Sequence, residues 1–215
     1  MEIIDFILHV DVHLGKMIAD YGALTYGILF LIIFAETGLV FTPFLPGDSL
    51  LFAAGMFAAL GSLKIGFLFF LLWTASFLGD NINYWVGRFF GQKIVNNRRI
   101  PISQGHIDKT QLFFEEHGKK TIVLARFMPI IRTFAPFVAG IGKMDYRKFV
   151  TFSFIGGFSW VALFVFAGYF FGNIPLIRDN FSTVIMAIIA VSVIPALINF
   201  IKAKLQKKTK TKNEA

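Results

Sequence analysis

The chain has 215 residues, is 56% hydrophobic, contains 28 phenylalanines and has a mean hydropathy of +0.67, a composition that excludes an ordinary soluble domain and points to a polytopic membrane protein. Its formal net charge of +8 is uneven, with Lys202, Lys204, Lys207, Lys208, Lys210 and Lys212 crowded after Phe200; such a cluster beside a span reads as a cytoplasmic, lipid-facing flank, not as a nucleic-acid surface. With no cysteine, disulfide and thiol chemistry are both excluded.

In chain order, Met1-Glu-Ile-Ile-Asp5 lacks a basic n-region, so no cleavable signal peptide is expected. Residues 1–21 predict an amphipathic helix, because Glu2, Asp5, His9, His13, Lys16 and Asp20 recur every three or four positions. Residues 23–60 are apolar but interrupted by Glu36 and by Phe41-Thr-Pro43-Phe-Leu-Pro46-Gly47-Asp48. Each arm falls short of the ~20 residues that cross a bilayer, which suggests a re-entrant hairpin. Two full crossings would give the same topology downstream.

Residues 65–91 predict one transmembrane helix carrying Asp80 and Asn81. A polar connector is expected over 92–119. Residues 120–142 hold Arg126 and Arg132 within an apolar run that also contains Pro129, Pro136 and Gly140. An arginine at mid-membrane costs about 2.5–3.5 kcal/mol on insertion scales, so it marks a candidate site. Proline removes a backbone donor and breaks a regular helix. Broken backbone at membrane depth is tolerated only inside protein or along a cavity. Spans are expected at 146–172 and 181–201, followed by the basic tail 202–215.

The charges set the topology. With the tail inside, Lys143, Arg147 and Lys148 are also inside. The basic connector joins them only if 120–142 re-enters instead of crossing. Internal repetition is also visible: Gly87-Arg-Phe-Phe-Gly91 matches Gly168-Tyr-Phe-Phe-Gly172, and the same offset sets Asp48 against Pro129. Two halves with opposed broken segments form an inverted-repeat transporter architecture. The expected fold is thus an all-α polytopic membrane protein. It forms a single integral membrane domain over 1–215, with two opposed re-entrant helical hairpins, transmembrane helices and an N-terminal amphipathic helix.

Three motifs occur in a telling order: Glu36-Thr-Gly38 with Phe44-Leu-Pro46-Gly47-Asp48-Ser49-Leu50; Gly79-Asp80 with Tyr84-Trp-Val-Gly87-Arg88; and Ala125-Arg126-Phe-Met-Pro129-Ile-Ile-Arg132 with Ala139-Gly140. Together they resemble the bacterial DedA family of inner-membrane proteins, also called the SNARE-associated or VTT domain family, over nearly the whole chain. The resemblance implies opposed hairpins, dependence on the proton-motive force and lipid transport, with undecaprenyl phosphate or a phospholipid as cargo. The family's important acidic residues fall on Glu36 and Asp48, and its two arginines on Arg126 and Arg132.

Each residue has two readings. Arg126 and Arg132 can clamp a lipid phosphate through planar guanidinium forks. They can equally pair with Glu36, Asp48 or Asp80 and hold the hairpins together. Glu36 and Asp48, with Asp80, are the candidate proton carriers. Asp48 could instead cap the helix after Pro46-Gly47, and Asp80 could pair with Arg88. Pro43, Pro46, Gly47, Pro129, Pro136 and Gly140 are assigned to backbone shape. No histidine lies in an apolar segment, and no P-loop, zinc motif or dinucleotide loop occurs, so neither a metal nor a cofactor is expected.

The functional expectation is a proton-coupled flippase of an anionic lipid phosphate in the bacterial inner membrane, not an enzyme. Its partners would be membrane lipids and protons, without nucleic acid. Self-association is left open. The alternatives are a non-transporting assembly or envelope-maintenance factor, and an intramembrane lipid phosphatase. A phosphatase would want a nucleophile with histidine or metal.

Overall fold

The computed structural model of the chain describes residues 10–39, 47–95 and 129–172, with single positions at 122, 123, 126, 174, 175, 177, 180, 183, 184, 186 and 187. Among them the regular elements are helices: α1 (Val10–Tyr21), α2 (Leu24–Gly38), α3 (Gly47–Ala59), α4 (Ile65–Val95), α5 (Pro129–Ile141) and α6 (Tyr146–Phe171). Residues 1–9, residues 40–46 with Pro43 and Pro46, residues 96–121, most of 181–201 and residues 202–215 lie outside the described residues.

Among the described residues, two helices are long and apolar enough to cross a membrane: α4 over Ile65–Gly91, and α6. Their exposed faces carry Phe67, Phe70, Leu78, Phe158, Leu163 and Phe170, as a lipid-facing surface requires. α2, α3 and α5 have 15, 13 and 13 residues. At 1.5 Å per residue they reach only about 20 Å, short of the ~30 Å hydrocarbon. α4 runs four residues beyond the expected Gly91, because Gln92-Lys-Ile-Val95 contains no helix breaker. α6 starts where Asp145 accepts the backbone N–H of Lys148 at 3.1 Å, an N-cap.

The two prolines behave differently. Pro129 opens α5 as its first residue, where its fixed φ suits a helix and its missing N–H costs nothing. Pro136 lies inside α5, and the helix continues through it. The expected break there does not occur; the local penalty is the hydrogen bond that Arg132 O would receive. The packing of α5 on α4, described next, outweighs it.

Contacts along the helices give their directions. Tyr26 Oη accepts Lys64 N–H at 2.7 Å, and Asn83 Nδ2 donates to Thr37 O at 3.2 Å, so α2 runs parallel to α4. α6 runs antiparallel to α4, with Phe69 on Phe158 (5.2 Å between centroids) and Tyr84 on Phe149 (4.4 Å). α3 lies along α6: Gly168 abuts Phe52 O, Gly55 abuts Val165 O, and Gly172 abuts the Met56 side chain. α5 lies along α4: Gly87 abuts Phe137 O, Gly140 abuts Tyr84 O, and Gly91 abuts the Ile141 side chain. A Cβ at any of these six glycines would collide, so small residues set the helix separation. Each short helix follows the long helix beside it, so α3 and α5 run in opposite directions.

The main core joins α1 through α4 with α6, around Leu14, Leu29, Ile33, Leu51, Leu68, Leu72 and Trp160. In α1, Leu14 is buried while Lys16 and Asp20 are exposed, the amphipathic division expected for that segment.

Candidate functional site

Asp80 is the middle residue of α4, about 22 Å from either end at 1.5 Å per residue. Trp160 sits at nearly the same fraction of α6. Around this height five charged residues meet.

Arg126 donates from Nη2 to Asp80 Oδ2 and from Nη1 to Ser76 Oγ, the latter at 2.8 Å. Ser76 and Asp80 are one turn apart on α4 and present one face. Ser153 Oγ, from α6, donates to the same Asp80 Oδ2 at 2.5 Å. Gly156 and Gly157 leave room for the arginine: a Cβ at Gly156 would lie 3.3 Å from Arg126 Cγ. Arg126 thus ties its own segment to both long helices.

Arg132 makes a second group. Its Nη2 donates to Glu36 Oε1 at 2.5 Å, and its Nη1 to Asp48 Oδ1 at 2.7 Å. The two carboxylates come from the two arms of the first broken segment, α2 and α3. Gly47 is glycine because Glu36 comes so close that a Cβ would overlap its carboxylate. Trp160 Nε1 donates to the same Asp48 oxygen at 2.8 Å. Its ring stacks on both guanidiniums, 4.7 Å from Arg132 Cζ and 5.7 Å from Arg126 Cζ.

The cluster is almost dry. Glu36, Asp80 and Arg126 are at most 3% exposed, and Asp48, whose side chain is 15% exposed, is its most open member. It holds three carboxyl groups and two guanidiniums, one acid in excess. Asn83, one turn beyond Asp80, donates to both Thr37 O and Thr133 O, linking α2 to α5. Among the described residues, Glu36 Oε2, Ser49 Oγ and Asn83 Oδ1 are buried without a hydrogen-bond partner. Buried polar atoms of this kind call for a specific explanation.

The structure therefore brings together all five charged candidates, Glu36, Asp48, Asp80, Arg126 and Arg132. It does not converge the arginines on one carboxylate. Asp48 serves Arg132 and Trp160 from the first turn of α3, and Asp80 pairs with Arg126 while Arg88 bonds Tyr84. Gly140 lets α5 approach α4, where a Cβ would meet Tyr84 O. Trp160, Ser76, Ser153 and Asn83 escaped the sequence reading. A tryptophan at mid-span, away from the interfacial belts where the residue is common, was a usable signal. The serines offered none. No group of three or more metal-ligating side chains occurs among the described residues.

Fold and site together define a helical membrane protein with a buried, ion-paired cluster at half height. The VTT domain matches residues 45–170. The chain is 53% identical over 205 residues to Protein DedA of Escherichia coli (strain K12), covering 94% of each. It is 43% identical over 169 residues to an uncharacterized membrane protein of Mycobacterium leprae (78% of this chain, 75% of the relative). It is 32% identical over 152 residues to the inner membrane protein YqjA of Escherichia coli (70% and 69%). No solved structure matches. The chain belongs to the VTT-domain family of membrane proteins and is close to DedA.

Proposed function

We propose that this protein moves an anionic lipid phosphate across the bacterial inner membrane, with proton exchange at the buried cluster, and performs no covalent chemistry on it. The observation that carries the reading is Arg132 held between Glu36 and Asp48. A guanidinium fork that binds two carboxylate oxygens accepts two phosphate oxygens in the same geometry. Exchange of carboxylate for phosphate needs an open edge, and Asp48 is the most exposed member. The surplus acid supports proton coupling, since one proton on a carboxylate leaves two negative and two positive charges, a neutral cluster. Arg126, bonded to Asp80 and Ser76, serves as the anchor.

In this reading α2–α3 and the segment ending in α5 are re-entrant hairpins from opposite membrane faces. Their short lengths and the antiparallel α3 and α5 favour it. So does the pairing of contacts. Gly55–Val165, Phe52–Gly168 and Met56–Gly172 correspond one by one to Gly140–Tyr84, Phe137–Gly87 and Ile141–Gly91. The spans relate by the 81 positions seen in the sequence, but the hairpins by 85, one helical turn more. An inverted repeat in which each hairpin arm packs on the other half's span accounts for both shifts. The basic tail lies in the cytoplasm in this topology.

The test is translocation of fluorescent undecaprenyl phosphate in proteoliposomes, with and without a pH gradient. Gradient-dependent transport that disappears in folded Arg132→Ala supports the proposal. Transport absent from folded wild-type protein removes this cargo, and a tolerated Arg132→Ala favours an assembly factor, which has no use for buried charge.

A further inference from the structure

A second charged region lies about 12 Å along α4 from Asp80, eight residues further on at Arg88. With half the hydrocarbon thickness near 15 Å and the ion cluster at the midplane, the Arg88 backbone lies just inside the hydrocarbon edge, where a long cationic side chain reaches the headgroups. Arg88 Nη1 donates to Tyr84 Oη at 2.8 Å, and Tyr84 Oη donates to Met144 O at 2.5 Å. This chain fixes Arg88 beside the turn between α5 and α6. Lys143, Arg147 and Lys148 follow in that turn and the first turn of α6, all exposed. Among the described residues none of the four cations pairs with a carboxylate, and the nearby Asp145 is engaged as the α6 cap.

The backbone gives an independent sign. Lys143 has φ 52°, the left-handed region that favours glycine. It occupies the C′ seat of a Schellman motif: Met144 N–H bonds Ala139 O at 2.9 Å and Lys143 N–H bonds Gly140 O at 3.0 Å. The same motif closes α3, where Ser62 N–H bonds Phe57 O, and there the seat holds Gly61 with φ 82°. The chain thus uses glycine at one end and tolerates a strained lysine at the other, where cations gather. Around them Trp85 stacks on Phe89 (5.3 Å) and meets Tyr146 at a tilt (5.1 Å), an aromatic belt of interfacial type.

We propose that Arg88, Lys143, Arg147 and Lys148 form a docking site for the phosphate of an anionic phospholipid headgroup. It lies on the face that the positive-inside rule assigns to the cytoplasm. Juxtamembrane cations attract anionic lipid, the aromatic belt holds the acyl–headgroup boundary, and Arg88 is pre-set by its bond to Tyr84. The site is separate from the buried cluster and stands without the transport reading.

The test is native mass spectrometry of the full chain released from micelles with equimolar phosphatidylglycerol and phosphatidylcholine of identical acyl chains. The wild type is expected to retain an excess of phosphatidylglycerol. Lys143→Gly should lower that excess roughly five-fold at low salt, the weight of one surface cation, while the melting temperature stays level or rises because glycine relieves the backbone. Arg88→Gln with Arg147→Gln should lower it further. Lys64→Gln, which removes an exposed cation at the opposite end of α4, should leave it unchanged. A wild type without preference, an excess that Lys143→Gly or the double variant leaves intact, or an equal loss in Lys64→Gln overturns the proposal.

Discussion

Trp160 and Arg132 are stacked, with Arg132 Cζ 4.7 Å from the ring centroid, and both bond the same oxygen of Asp48. The indole therefore does two things: its face supports the guanidinium, and its N–H orients the carboxylate that the guanidinium binds. A cation over an aromatic face contributes about 0.5–2 kcal/mol, and a hydrogen bond to a charged group about 1.5–3 kcal/mol.

The two contributions can be separated. Trp160→Phe keeps the ring face and removes the N–H. It should fold, and the proposed lipid translocation should fall about ten-fold, equivalent to ~1.4 kcal/mol. Trp160→Leu removes both and should lose more. Proteoliposome transport at matched protein content measures this; equal rates for wild type and Trp160→Phe would show that the N–H is unimportant.

Glu36→Gln keeps an oxygen for Arg132 and removes an ionisable group. It also brings the cluster to equal numbers of acids and bases. Translocation should then persist at a lower rate and lose its response to a pH gradient. The check is the ratio of rates with and without the gradient. A ratio unchanged from wild type would exclude Glu36 as the proton carrier.

The Arg126–Asp80 pair should behave as an anchor. Breaking a buried pair by removing one partner costs about 3–5 kcal/mol, because a charge is left alone. Arg126→Leu should therefore lower the thermal midpoint in detergent sharply. Adding Asp80→Leu should restore much of that loss, since a buried pair replaced by apolar residues is often neutral. If the double variant is no more stable than Arg126→Leu, the pair is not what holds this region.

The six facing glycines predict a position-specific stability pattern. Ala at Gly87 or Gly168 pushes a Cβ into the backbone of Phe137 or Phe52, an overpacking cost of about 1–3 kcal/mol. Gly66, also in α4, has open space around it. There alanine should be neutral or stabilising by about 0.5–1 kcal/mol. Thermal unfolding of the three single variants decides it, and similar losses at Gly87 and Gly168 are expected if the two contacts are repeat equivalents.

Much of the fold and of the site could be read in the sequence, because burial in lipid is governed by local composition. Runs of apolar side chains interrupted by Gly and Pro marked the chain as helical and membrane-bound, and in so apolar a chain any charge inside a run stands out. Glu36, Asp48, Asp80, Arg126 and Arg132 were visible for that reason alone. The amphipathic stripe of α1 was visible through its period. What each charge does was not. Arg126 meets Asp80 across 46 positions, and Arg132 meets Asp48 and Glu36 across 84 and 96. Those meetings depend on how four helices pack, and no local pattern encodes them.

The sequence by itself determined that the chain is a helical membrane protein and which charges are too costly to be incidental. Only the tertiary structure decided which acid holds which base, that Trp160 joins both guanidiniums, and that α5 passes through Pro136. The physical reason is the range of the forces involved. Partition into apolar surroundings acts residue by residue, whereas ion pairs, stacking and glycine-mediated contact act between helices brought together by packing.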